Sequence, residues 1–380
     1  MSDLHENDIV SCFCEEVNEA IDAKIFKFRN ENTEAYVHFL HQDKRLDRWV
    51  PVDDLKVQGR NKTPHKEEWH STRSSTRYDS ESDIDSNEDD EIQKFEKIHK
   101  EVTKIRNIDT IFIGEIPIRA WYFSPYPDPF YSMQTLYICE HCFRYFGSKE
   151  ELDKHILNSK EMTPPGKEIY RNGNISIFEL HGKRQKLSCQ CLCLLAKLFL
   201  DHKTLYYDVE GFVFYVLCEC DENGCHIAAY FSKELESEDN NVLACIVVLP
   251  PYQRKGYGKL LISLSYELVK RQKISGGPER PLSDLGKIAF FSYWRDVIIS
   301  LLGSVEIQSI EEIEKITSIA KDDIIDVLKK YQSVVLVKGE YELDINQECI
   351  DNEFQKISSL HSKSYIDPLK LIWFPEDDKE

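Results

Sequence analysis

The stretch Asn241–Gln272, NVLACIVVLPPYQRKGYGKLLISLSYELVKRQ, sets a strand, a glycine-bearing loop and a helix in direct succession. Val242 to Leu249 is an apolar run of eight residues, rich in Val and Ile and too short for a comfortable buried helix. It reads as a central strand, ended by Pro250 and Pro251. From Lys259 to Arg271, Leu261, Leu264 and Leu268 recur at helical spacing. Between the two lies the polar turn Gln253-Arg254-Lys255-Gly256-Tyr257-Gly258. Its glycines let backbone N–H groups converge, and the free first-turn N–H groups of the helix, with Arg254 and Lys255 nearby, suit a pyrophosphate. The loop fits neither the dinucleotide fingerprint nor the P-loop, which ends in Gly-Lys-Ser or Gly-Lys-Thr. A Gly-x-Gly turn taken alone is weak evidence, because turns use glycine for steric reasons.

Composition bounds the protein without identifying it. With 380 residues and 44.5 kDa, the chain has room for one catalytic domain of about 250 residues and a small module. It holds no apolar window long enough for a membrane span, and MSDLHENDIVS at the start lacks the charged and apolar parts of a signal peptide. A soluble intracellular protein with no membrane partner is expected. The twelve cysteines are scattered in apolar surroundings or closely spaced, as at Cys189, Cys191 and Cys193. Free buried thiols with one metal site are the expectation, rather than a disulfide framework. A net charge of −19, from 67 acidic against 48 basic residues, opposes nonspecific wrapping of DNA and is compatible with a basic substrate.

Further words surround the central stretch: Tyr122-Phe123-Ser124-Pro125-Tyr126-Pro127, Pro164-Pro165-Gly166 with Glu168-Ile169-Tyr170-Arg171, KLFLDHKTLYYD from Lys197 to Asp208, and PLSDLG from Pro281 to Gly286. Together with QRKGYGKLL, in this order and spacing, they resemble the MYST family of histone lysine acetyltransferases over roughly residues 103–375. The nearest resemblance is to the catalytic subunit of the complex that acetylates nucleosomal histone H4. It implies an α+β fold with a GNAT-like acetyltransferase core, a mixed and mostly antiparallel sheet, preceded by a small β chromo-barrel and followed by a winged-helix-like segment. Periodicity alone stops at α+β.

The strands expected in that core are Ile169–Tyr170 and Ile175–Leu180 around an Asn172-Gly173 turn, then Phe212–Cys220 and Ile227–Ser232 around Glu222-Asn223-Gly224. An apolar helix runs from near Cys189 to Leu200.

Acetyl transfer from a thioester needs a deprotonated amine, a polarised carbonyl and a grip on the CoA phosphates. The resemblance carries these roles onto particular residues. Glu279, in the proline-framed loop Gly276-Gly277-Pro278-Glu279-Arg280-Pro281-Leu282-Ser283, becomes the general base. Cys245 lies beside the acetyl carbon, either as a covalent acyl acceptor or as pocket lining, and direct attack by lysine in a ternary complex is the favoured route. Val247, Val248 and Leu249 bind the acyl and pantetheine arm through their backbone, while Gln253, Arg254, Lys255, Gly256, Tyr257, Gly258 and Lys259 cradle the pyrophosphate. Ser283 lies near the CoA, and Lys203 is the autoacetylated lysine. By local sequence alone, Glu279 is a solvated loop acid, Cys245 a small buried hydrophobe and Lys203 a surface lysine.

Residues 8–57 hold short β-prone runs at Ile9–Cys14, Ala23–Phe28 and Ala35–Phe39, followed by Trp49-Val50-Pro51. They resemble the chromo-barrel, or Tudor-knot, domain that precedes the catalytic domain in this family. Phe13, Tyr36, Phe39 and Trp49 form either a methyl-lysine docking surface or the core of a very small barrel, with core or mixed use preferred. Residues 58–102 are a polar tether in which Asp79–Glu91 carries eight carboxylates in thirteen positions. Disorder is expected there, with Ser82 and Ser86 as acid-flanked candidates for phosphorylation.

Residues 136–170 begin a finger: Cys139 and Cys142 form a Cys-x-x-Cys knuckle, and His155 follows after twelve intervening residues on a helical run, Glu150–Leu157. The family's finger ends in a further cysteine, and that position here is Ser159. Either His141, Glu161 or water completes zinc coordination, or zinc is lost and Phe143, Phe146, Leu152 and Ile156 hold the finger by packing. In residues 305–350, two amphipathic helices and a hairpin around Lys338-Gly339-Glu340 form a helix-turn-helix-like part. Its second helix opens with Lys321-Asp322-Asp323-Ile324-Ile325-Asp326, which repels phosphate, so no sequence-specific DNA binding is expected. Leu371-Ile372-Trp373-Phe374 is expected to dock on the domain.

The sequence therefore points to a nuclear, acetyl-CoA-dependent histone acetyltransferase acting on H4 tails and on a second core histone within a multiprotein complex. The competing reading is a chromatin scaffold in which the fold serves mainly as a binding module; retention of Glu279, Cys245, Lys203 and QRKGYG favours activity.

Overall fold

Val10, Cys12 and Cys14 alternate with more exposed neighbours along β1 (Ile9–Cys14), so one face of the strand is apolar and turns inward. β2 (Glu19–Arg29), β3 (Glu34–Phe39), β4 (Arg48–Pro51) and β5 (Lys56–Val57) complete an antiparallel sheet in the order β4-β3-β2-β1-β5. A register shift between Ile25 and Lys27 bends β2. Val10, Ala23, Ile25, Val37 and Phe39 form the core. β4 and β5 are the two edges, with no closing ladder between them among the described residues.

The rings of this module have mixed use. Tyr36 and Phe39 are core at 1% and 0% exposure, whereas Phe13 is 52% exposed. Trp49 meets the Tyr36 edge at 5.3 Å, and its face is covered by the Arg29 guanidinium at 4.3 Å.

This computed structural model describes residues 4–57, 103–159, 162–203, 207–359 and 364–375. The chain divides into two units: Met1–Asn107 with Ala120–Phe123, and Ile108–Arg119 with Ser124–Glu380. The tether at residues 58–102, with Ser82 and Ser86, lies outside the described residues, as does Glu161.

The second unit opens with β6 (Thr110–Ile113), β7 (Ile116–Arg119), β8 (Thr135–Ile138) and β9 (Tyr145–Phe146), arranged β7-β6-β8-β9 with β6 and β8 parallel. α1 (Lys149–Ser159) follows. The central sheet comprises β10 (Lys167–Asn172), β11 (Ile175–His181), β12 (Phe212–Asp221), β13 (Gly224–Glu234) and β14 (Cys245–Val248) in sequential order. α2 (Lys186–Lys197) lies between β11 and β12 in the chain. All four central pairings are antiparallel, so the mixed character of the unit comes from β6 and β8.

α3 (Tyr257–Gln272), α4 (Asp284–Leu302), α5 (Ile310–Thr317) and α6 (Lys321–Lys330) follow, then the hairpin β15 (Val334–Val337) and β16 (Glu340–Leu343), and α7 (Gln347–Ser359). The expected order of helix, helix and hairpin is therefore present. The acidic start of α6 is partly interior, since Asp323 is 1% exposed.

Two expectations are corrected. The central strand is shorter than Val242–Leu249, because Val242 N–H donates to Gly277 O (2.8 Å) and Leu243 O accepts from Glu279 N–H (3.0 Å), so these residues pair with the following loop. The cysteines are not all free: Cys220 and Cys225, facing partners across β12 and β13, form a disulfide.

The C-terminal segment docks as expected and extends the sheet at its first edge. Ile372 N–H donates to Ile169 O (2.7 Å), and Arg271 donates to the carbonyls of Pro368, Leu371 and Trp373. Leu371 and Trp373 are buried while Ile372 and Phe374 face out, the alternation of a strand.

Candidate active site

Glu279 is positioned by the seam just described. Its backbone is tied to Leu243, two residues before Cys245, and the loop passes so close to the preceding chain that a Cβ on Gly276 would stand 1.9 Å from Asn240 O. Gly276 is also bonded to the segment before α6, through Ser318 O (3.1 Å) and Ala320 N–H (3.0 Å). A glycine loop held on two sides thus carries a carboxylate to the end of β14.

Lys203 reaches the same place from α2. The buried Lys197 Nζ donates to Leu200 O (3.1 Å) and Asp201 O (2.9 Å), which folds the chain back past the helix end. Tyr230 on β13 ties α2 to the sheet through its hydroxyl, which donates to Leu192 O (3.1 Å).

Cys245, Glu279, Lys203 and Ser283 line one cavity of about 280 Å³, together with Cys193, Asp201, Asp208 and Glu234. Burial pushes the Glu279 carboxyl above the ordinary carboxylate range, the Glu234 carboxylate adds to this, and the Lys203 ammonium opposes it. Burial pushes the Cys245 thiol up, with Lys203 pulling it down and Glu279 adding to the rise. The thiol is therefore the resting form, which suits lining more than nucleophilic attack. For Lys203, burial acts against the charge, but its neighbours, the Cys193 hydrogen bond and the Glu279 carboxylate among them, outweigh it and its pKa is raised. Four carboxylates against few cations make the cavity one for a cationic side chain.

Of the expected cofactor residues only Ser283 lines this cavity; Val247–Leu249 and Gln253–Lys259 follow it along the chain from β14 into α3. β14 is the last strand of its sheet, and no strand pairs with its outer edge among the described residues. Gln253 turns inward, its side-chain amide donating to Val248 O (3.0 Å). Arg254 and Gly256 take positive φ angles of 61° and 91°, forming a tight backbone bend before α3. No side chain caps α3, in contrast to α4, where Ser283 Oγ accepts from Gly286 N–H (3.1 Å). The first-turn amides of α3 are thus open to an anion, while Ser283 already has a structural role.

A Cβ on Gly258 would meet only Val248 Cγ2, at 3.7 Å. The protein itself leaves that space, which fits a cradle for the CoA pyrophosphate. Lys255 and Lys259 are already paired, with Glu219 (2.9 Å) and Asp296 (2.7 Å), and Tyr257 also bonds Glu219.

A larger hollow of about 980 Å³ borders α3 and α4 near Tyr365. Its buried Asp296 is saturated by Lys259, Arg295 and the Tyr365 hydroxyl, so it presents no reactive group.

In the finger, Cys139, Cys142 and His155 bring their ligand atoms within 4.8 Å of one another. The hydrogen bond between the two thiols pulls Cys139 down and pushes Cys142 up, so the pair shares one negative charge. This donor set fits zinc with three protein ligands. Ser159 Oγ turns back to donate to Ile156 O (3.4 Å), and His141 Nδ1 lies against Cys225 O (3.3 Å). Phe143 and Leu152 are buried as packing residues, whereas Ile156 is 42% exposed and does not pack.

Sequence reading missed Glu219, Glu234 and Asp323. None carries a local signal: Glu219 and Glu234 are polar residues on strands that also serve solvent, and Asp323 looks like an ordinary first-turn helix acid.

A cavity that gathers Glu279, Cys245 and Lys203 among further carboxylates suits an acetyl-CoA-dependent acetyltransferase, and comparison with known proteins shows that class. The family model described as the MOZ/SAS family matches residues 163–371, that of the MYST family zinc finger domain residues 105–158, and that of the RNA binding activity-knot of a chromodomain residues 7–57. Histone acetyltransferase of the MYST family 2 from Arabidopsis thaliana is 41% identical over 356 residues, covering 91% of this chain and 79% of that protein. Histone acetyltransferase ESA1 of Saccharomyces cerevisiae is 37% identical over 385 residues, covering 90% and 86%. Histone acetyltransferase MOF of Drosophila melanogaster is 44% identical over 284 residues, covering 74% of this chain and 34% of that protein. The chain belongs to the MYST family.

Proposed function

We propose that the protein is a nuclear histone lysine N-acetyltransferase that transfers acetyl from acetyl-CoA to the tail of histone H4, with a second core histone as a further substrate, inside a multiprotein complex. The observation that carries this reading is the acid-lined cavity in which Glu279 and Cys245 meet beside the unpaired edge of β14. The names of the relatives, all histone acetyltransferases, support the substrate class.

Acetyl-CoA lies along Val247–Leu249, with its pyrophosphate on the turn Gln253–Lys259. The substrate ammonium enters among Asp201, Asp208, Glu234 and Glu279, and Glu279 takes one proton from it. The amine attacks the thioester carbon, the C–N bond forms, the C–S bond breaks, and the leaving CoA thiolate takes the second proton lost by the nitrogen and departs as the free thiol. Cys245 shapes the acyl pocket, and Lys203 acetylation orders substrate binding. Cys139, Cys142 and His155 would hold a zinc ion with a structural role. Residues 8–57, 58–102 and 103–375 act as docking module, tether and catalytic domain, with residues 305–350 as a packed winged-helix-like part.

The test is labelled acetyl transfer to a panel of core histones, with Glu279→Gln alongside. Label on H4 that falls by about 10²-fold or more in the variant, with acetyl-CoA binding kept, is expected for loss of a general base. Equal label in both proteins would remove Glu279 from the mechanism.

A further inference from the structure

Asp323 is the third residue of α6, a position where a carboxylate normally sits in water and is stabilised by the helix dipole. Here it is buried, and its Oδ1 accepts from Arg280 Nη2 across 43 residues of sequence. Arg280 directly follows Glu279. The other oxygen, Oδ2, has no hydrogen-bond partner among the described residues, and a Cβ on Gly277 would stand 2.6 Å from it. The loop is thus fitted to this carboxylate on two sides: Arg280 binds it, and Gly277 makes room for it.

A buried carboxylate with half its bonding capacity unused is a poor choice for stability, since an amide or apolar side chain avoids the desolvation cost. Arg280 does not need the pair for solvation either, because its side chain is 58% exposed. What the pair does achieve is a fixed join between α6 and the Glu279 loop. The backbone bonds of Gly276 to Ser318 and Ala320 hold the start of the loop to the same segment.

We propose that Asp323 is a positioning residue for the acetyl transfer. Through Arg280 it fixes the loop so that the Glu279 carboxylate meets the substrate ammonium. This rests on the reading of Glu279 as the base. The acidic start of α6 thereby acquires a role that a helix contacting DNA would not give it.

The test is steady-state kinetics and thermal unfolding of the full chain carrying Asp323→Asn, with Arg280→Gln, the double variant and Glu279→Gln alongside. Asp323→Asn should lower kcat by about tenfold, the scale of a small misplacement of a reacting group, while KM for acetyl-CoA stays put and the melting temperature does not fall. Arg280→Gln should do the same, and the double variant should be no worse than either single one, because both break one join. A wild-type kcat in Asp323→Asn, or a loss that follows melting temperature and active fraction alone, would overturn the proposal. If Asp323→Asn does not fold, a wild-type kcat in Arg280→Gln overturns it equally. Should Glu279→Gln keep full activity, the base reading falls and the proposal with it. Should Glu279→Gln be inactive while Asp323→Asn and Arg280→Gln are normal, only the positioning role falls.

Discussion

Gly258 illustrates how a glycine can be dispensable to the fold and still be needed by a site. Gly256 is fixed by its own backbone, at φ 91°, but Gly258 meets nothing closer than 3.7 Å where its Cβ would be. Gly258→Ala should therefore leave the melting temperature unchanged and raise KM for acetyl-CoA by roughly tenfold, a cost of about 1.4 kcal/mol in binding. An unchanged KM would mean that the phosphates lie elsewhere. A second effect concerns proton transfer. Glu279 must be deprotonated to act, and its carboxyl is held above the ordinary range by burial and by Glu234. The rise of kcat with pH therefore occurs at higher pH than for a solvated glutamate, and Glu234→Gln should move it to lower pH. A pH profile of kcat for both proteins checks the sign. That Glu279 and Cys245 share one cavity was legible through the family words around them. Asp323 and Glu234 were not, because their partners come from other segments and only folding brings them together.

Strands and helices were legible wherever one pattern of burial dominated. Short apolar runs bounded by turns gave β11 and β12, which are buried on successive residues, and the leucine spacing gave α3. The error at Val242–Leu249 came from a backbone that changes partners midway, which hydrophobicity cannot show: Val242 and Leu243 bond the Glu279 loop, and the strand begins only at Cys245. The finger was legible to the level of its donors. α1 carries His155 and Ser159 one turn apart on the same side. Ser159→Cys should supply the fourth ligand, a third thiolate, that the three-donor cluster lacks, and zinc should then resist a chelator at concentrations that strip the wild type. Equal rates of zinc loss would show that the helix end does not face the metal.

Charge is the property that only the entire chain displays. The chain carries a net charge of −19, and the cavity is itself lined by Asp201, Asp208, Glu234 and Glu279. A basic tail should be drawn in by this field, so its KM should rise between about 0.05 M and about 0.3 M salt while kcat holds, as the screening length shortens. A flat KM would confine recognition to close contacts. The Cys220–Cys225 bridge was invisible at the level of composition, since which thiols meet depends on the β12–β13 register. The sheet's first edge is equally a matter of register between distant segments. β10 begins at Lys167, yet the segment that covers it, around Leu371, is more than half the chain away. A ribosome delivers β10 long before that cover exists. During synthesis the edge stands open for the time needed to add some two hundred residues, at roughly 5–20 residues per second. The catalytic domain thus cannot cover this edge of its sheet until the segment around Leu371 has been added.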